Sequence, residues 1–74
     1  PASRCFTITP DDAMDLLEAP KAIYIGTGGD ISLRPLDNDE DIVLRNAISG
    51  SILDIRVRAI RATGTTAQDI LGLV

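Results

Sequence analysis

Apolar and polar positions alternate most clearly in the last third of the chain. Leu53, Ile55, Val57 and Ala59 are separated by Asp54, Arg56 and Arg58. That is the period-2 signature of a strand with one buried and one wet face. A break at Arg61-Ala62-Thr63-Gly64-Thr65-Thr66 follows, and a second apolar run from Asp69 to Val74 resumes after it. Two apolar runs joined by a short Gly/Thr loop predict a β-ribbon, with a solvent-facing arginine row on its first arm. Arg56 and Arg58 are two residues apart and are expected on one face, with Ile60 beside them.

The earlier chain reads as further short elements. Arg4 to Thr9 alternates weakly, so residues 1–8 form either an N-terminal arm on a neighbour or an edge strand of their own sheet. Thr9-Pro10-Asp11-Asp12 is a helix start signal, with Thr9 as N-cap, Pro10 at the first helical position and acidic residues at the positive dipole end. Ala13, Met14, Leu16 and Leu17 supply an apolar face, and Ala19-Pro20 stops the helix after two turns. Ala22 to Gly26 is a compact apolar strand, Thr27-Gly28-Gly29-Asp30 a hairpin turn, and Ile31 to Pro35 the next strand. Asp37 to Asp41 is a polar turn, Ile42 to Asn46 a strand, and Ala47 to Ser51 the turn into the long C-terminal strand. The sum is a mainly β chain: a small antiparallel sandwich or barrel of five to six short strands with one short N-terminal helix, residues 1–74 forming one domain.

Composition sharpens this in two respects. A chain of 74 residues buries only about 60% of the surface its unfolded form exposes, so extra stability must come from elsewhere. Cys5 is the single cysteine and histidine is absent. An intrachain disulfide and a tetrahedral zinc site are therefore both excluded, which leaves association with neighbours. The 45% hydrophobic, 3% aromatic composition agrees, because the load is aliphatic and high for so short a chain.

The net charge of −4 argues against a phosphate-backbone binder. Only Phe6 and Tyr24 are available to stack bases, so a small barrel binding oligonucleotides or a small ligand is the weaker alternative. The charges are segregated. Asp11, Asp12, Asp15 and Glu18 crowd the first third, Asp37, Asp39, Glu40 and Asp41 the middle, and Arg56, Arg58 and Arg61 the last third. Such a subunit can associate head to tail. The plainer alternative is a set of solvated loops and one solvated strand face. No apolar run approaches the ~20 residues of a transmembrane helix.

Candidate chemistry is sparse. Gly26-Thr27-Gly28-Gly29-Asp30 lacks the G-x-G-x-x-G spacing and the following helix of a dinucleotide site. Asp37, Asp39 and Asp41 match the first ligand spacings of a calcium loop, but Ile42 stands where its glycine belongs and Ile48 where its bidentate Glu belongs. Without histidine, Ser-His and Cys-His nucleophiles are excluded. No catalytic, cofactor-binding or metal-ligating residue is expected, and the chain is not expected to be an enzyme. Arg56, Arg58 and Arg61, with the loop residues Thr63, Gly64, Thr65 and Thr66, are the candidates for touching a partner.

Several of these segments carry a resemblance. Lys21-Ala22-Ile23-Tyr24-Ile25-Gly26, Gly29-Asp30-Ile31, Gly50-Ser51-Ile52-Leu53 with Ile55-Arg56-Val57, and Ala62-Thr63-Gly64-Thr65-Thr66-Ala67 with Ile70 are similar to the head spike base family of tailed phages and gene transfer agents. The resemblance runs from about Thr9 to Val74, and the ATGTTA segment after the strand that holds Arg56-Val57 is its most specific part. It implies a structural virion protein on the capsid exterior, made in the host bacterial cytoplasm. Its implied partners are the major capsid protein, further copies of itself as a pentamer or trimer, and a head fibre or spike. A cement protein bridging capsomers is the alternative use, and neither nucleic acid nor a membrane is an implied partner.

Overall fold

A computed structural model describes residues 1–74. The chain forms seven strands: β1 (Cys5–Ile8), β2 (Ala22–Thr27), β3 (Gly29–Pro35), β4 (Ile42–Ala47), β5 (Ile52–Leu53), β6 (Val57–Arg61) and β7 (Gln68–Leu73). They make two antiparallel sheets, one of order β1-β7-β2-β5 and one of order β4-β3-β6. The inner faces meet over a branched aliphatic core. Ile8, Ile23, Ile25 and Ile70 come from the first sheet, Ile31, Leu33, Val57 and Ile60 from the second, with Ala67 between them. β-Branched residues dominate because they pack well on a pleated surface.

The mainly β class stands as expected, but four local expectations do not. First, residues 9–19 contain no helix. Asp11 accepts hydrogen bonds from the backbone N–H groups of Ala13 and Met14, an Asx-type turn that competes with helical pairing. The N–H groups of Asp11 and Leu16 reach across to the carbonyls of Ile60 and Arg58 instead of back along a helix. A two-turn helix between two prolines is marginal by itself, and capping an open sheet edge satisfies more polar groups. The segment is thus a strap laid along β6.

Second, Thr27 to Asp30 is not a hairpin turn, because β2 and β3 lie in different sheets. The glycines form a corner where the chain crosses over, fixed by the Gly28 N–H donating to Ser49 Oγ at 2.7 Å. Third, β6 and β7 are not a ribbon. β6 pairs with β3, whereas β7 pairs with β1 and β2. Fourth, the long C-terminal strand is two strands, and the count is seven where five or six were expected. The chain leaves the first sheet after Leu53 and enters the second at Val57. The Asp37–Asp41 turn does close a true hairpin, with Leu33 opposite Ile42.

Candidate partner-binding surface

The arginine row is dismantled by a bulge. β6 pairs Arg34 with Ala59 but Pro35 with Val57, so Arg58 is an extra residue in the ladder. The alternation slips there. Val57 and Ile60 both enter the core, although they are three apart. Ala59 and Arg61 take the outer face, opposite Arg34 and Ser32.

The three arginines therefore go separate ways. Arg56 precedes β6, is exposed, and donates a long 3.4 Å hydrogen bond to the carbonyl of Ala19. Arg58 is half-buried and donates to the carbonyl of Asn38 at 2.9 Å, while its Nε is buried without a partner. Arg61 is buried beneath the strap. It pairs with Asp15 at 3.2 Å and with Asp41 at 3.3 Å, and it reaches the carbonyl of Asp11. Asp41 also holds Arg34 at 2.7 Å. The outer face of the three-stranded sheet thus carries a charge network of Arg34, Asp41, Arg61 and Asp15, and Asp41 is turned away from the calcium-like loop spacing. No three His, Cys, Asp or Glu side chains converge to hold a metal ion.

The Thr63–Thr66 loop is likewise tied inward. Asp12 accepts from the Thr63 backbone N–H at 2.8 Å and from its hydroxyl at 2.7 Å. Those two bonds stabilise the ionised carboxylate and hold its pKa below the usual 3.8. Thr65 Oγ1 accepts from the Ser32 N–H and Thr66 Oγ1 from the Asp30 N–H. The Asp30 carbonyl accepts from the N–H groups of Thr66 and Ala67. Gly64 takes φ +91°, which a β-branched residue resists. Each hydroxyl in the loop therefore has a job within the chain. The Asp30 carboxylate clips the other side of β3 by accepting from the Asn46 N–H and pairing with Arg45, and its pKa is lowered by these two contacts.

Other surfaces, not singled out by periodicity, are left open. Because the strap is not helical, Met14 and Leu17 are exposed, and only Leu16 packs on the core. Between the strap and β1 lies an open groove of about 560 Å³, lined by Phe6, Ile8, Ile60, Met14 and Leu17 with Arg4, Asp11, Asp15 and Glu18 at its rim. Glu18 takes a 2.8 Å hydrogen bond from Arg4, which lowers its pKa. In the other sheet, the edge strand β4 exposes Ile42 and Val43, and Ile48, also exposed, follows it. The sequence signal for these surfaces was present but weak: apolar residues in segments whose polar neighbours suggested turns.

A small two-sheet β domain with an aliphatic interior leaves apolar residues on its surface, where neighbours can pack. A solved structure agrees in kind. The chain is 36% identical to a chain described as belonging to the capsid of a native GTA particle computed with C5 symmetry, with a TM-score of 0.89 over 100% of this chain and 84% of that one. This chain belongs to the same family as that gene transfer agent capsid component. No protein-family model and no curated protein matches it.

Proposed function

We propose that the chain is a structural subunit of a phage-type or gene-transfer-agent head, seated on the outside of the shell as a spike base or vertex protein. In this reading it binds the major capsid protein, associates with copies of itself as a ring of five or a trimer, and anchors a head fibre or spike. The observation that carries it is the full-length match, at 36% identity, to a chain of an assembled GTA capsid described with fivefold symmetry. Local chemistry supports it. The loop that most resembles the head spike base family, Ala62 to Ala67, is the loop that locks β3, the strap and β7 together. A family signature at that place preserves a shape rather than a reaction. Exposed apolar side chains on a chain of 74 residues point the same way. Many copies on one shell add weak contacts by multivalency.

The test is to tag the chain, purify particles from the producing cell, and label the tag on intact particles. The reading expects the tag to travel with particles and to be reachable from outside. A tag confined to the unassembled fraction overturns it. Label spread between capsomers, away from vertices, assigns the cement role instead.

A further inference from the structure

Two of the strand edges of this chain, those of β1 and β4, differ in kind. β1 pairs on one side only, with β7. Arg4 and Val74 exchange two backbone hydrogen bonds at 3.1 and 2.7 Å, so in the antiparallel alternation Phe6 and Ile8 also bond toward β7. The N–H and C=O groups of Cys5 and Thr7 therefore point into the free side, where the groove beside the strap begins. β4 pairs on one side only, with β3. Ser32 lies opposite Val43 and donates its N–H away from β4, to Thr65. Val43 thus aims its backbone groups outward. The first half of this edge, Ile42-Val43-Leu44, holds no proline and no charge, and the features that blunt edges, a charged Arg45 and a bulge opposite Asp30, fall in its second half.

We propose that β4 of a second copy adds to the free edge of β1, parallel to it, with its apolar side chains and Ile48 settling against Met14 and Leu17 of the strap. This rests on the self-associating shell subunit proposed above and names the surfaces that join. Backbone pairing of this kind gives affinity, and the pockets beside it give register. Charge fixes the direction. With Ile42 of the second copy opposite Cys5, Asp41 falls opposite Arg4 with Glu40 and Asp39 just beyond it, and Arg45 falls opposite Ile8, on the way to Asp11 and Asp15. The antiparallel arrangement with Arg45 opposite Cys5 places Asp39 against Asp11, like charge on like. In the parallel register Val43 donates its N–H to the Cys5 carbonyl and accepts from the Thr7 N–H. The two surfaces differ, so the contact is head to tail and repeats until a ring closes.

Cys5 is exposed and is the chain's own reporter. Ile42→Cys and Arg45→Cys are each made in the full chain and oxidised, and products are separated without reductant. The proposal expects Ile42→Cys to give a ladder of dimers, trimers and longer chains. The ladder disappears on reduction or when Cys5→Ser is added. Arg45→Cys gives only background. Leu17→Asp, at a fully exposed position, is expected to suppress the ladder without changing the melting temperature. A ladder from Arg45→Cys in place of Ile42→Cys overturns the proposal, as does product that stops at the Cys5–Cys5 dimer, or no ladder at all. If the ladder fails while tagged wild-type chain still travels with particles, this contact is wrong and the shell reading stands. If the tag is absent from particles, the shell reading itself falls.

Discussion

Along the β6 flank of the three-stranded sheet, the carbonyls of Arg58 and Ile60 accept hydrogen bonds from the strap, and Arg61 is roofed by Asp15 and Asp41. Along the β4 flank, Val43 is exposed and no further strand pairs with it. Both flanks are edges of one sheet, both are short, and each has an Asp-rich stretch near it: the strap laid along β6 and the Asp37–Asp41 turn before β4. The difference is where the acids point. Asp11, Asp12 and Asp15 are spent on the protein itself, on backbone donors, Thr63 and Arg61. Asp37, Asp39 and Glu40 are not; only Asp41 of that cluster turns inward, to Arg34 and Arg61. Charge runs of similar composition thus close one edge and leave the other open. Composition alone does not distinguish a structural acid from a surface one.

The comparison can be broken most severely at Arg61. Arg61→Leu leaves Asp15 and Asp41 facing an apolar side chain on the closed flank. The expected cost is about 2 kcal/mol, below the range for fully buried pairs because both acids are partly exposed. A thermal melt should then fall by roughly 10 °C for a domain of this size. An unchanged melt would mean that the network does not hold the strap. Gly64→Val comes next. Its φ of +91° is hostile to valine, and an added Cβ meets the Ser32 Cβ at 3.3 Å. About 1–2 kcal/mol of stability should be lost in denaturant titration. A midpoint equal to wild type would show that the loop relaxes without cost.

Acid sharpens the comparison further. The pKa values of Asp11, Asp12 and Asp30 are all lowered, chiefly by backbone N–H donors. A carboxylate with a depressed folded-state pKa contributes stability that is present above its unfolded value and lost as pH falls through the folded value. Melting temperature should therefore hold from neutral pH down to about 3.8 and drop below it. Asp12→Asn should lower the melt at neutral pH, and the gap to wild type should narrow below 3.8. A gap that does not depend on pH would remove Asp12 from the account. The smallest effect on folding is expected on the open flank. Val43→Lys should change stability by no more than about 0.5 kcal/mol, yet lower the oligomer mass seen by light scattering. A large loss of stability there would show that β4 is not bare.

The residues themselves announced a good part of this. Period-2 runs identify most of the strands, and Asp37–Asp41 reads as the turn it is. What alternation could not say is which sheet a strand joins. Leu53 and Val57 belong to one apparent strand by pattern, yet the chain changes sheets between them. Nor could it foresee the bulge at Arg58, which is decided by pairing with Arg34 and Pro35 from a distant strand. That slip turned Arg61 from an expected surface contact into a buried one. The strap failed as a helix for a related reason. Its start signals were real, but Asp11 and Leu16 found better acceptors in an edge that the linear sequence does not show. The resemblance read from Lys21–Gly26 and Ala62–Ala67 did reach the right kind of particle; the first segment is the inner strand β2 and the second the loop that ties β3 to the strap.

The central claim, that this chain is part of the outer surface of a head, is tested most directly by a difference map. Particles from cells with and without the chain are imaged by electron cryomicroscopy and averaged without imposing icosahedral symmetry. The account predicts extra density outside the shell at the fivefold positions, into which the two-sheet fold fits as a ring of copies. Identical maps from the two preparations would contradict it.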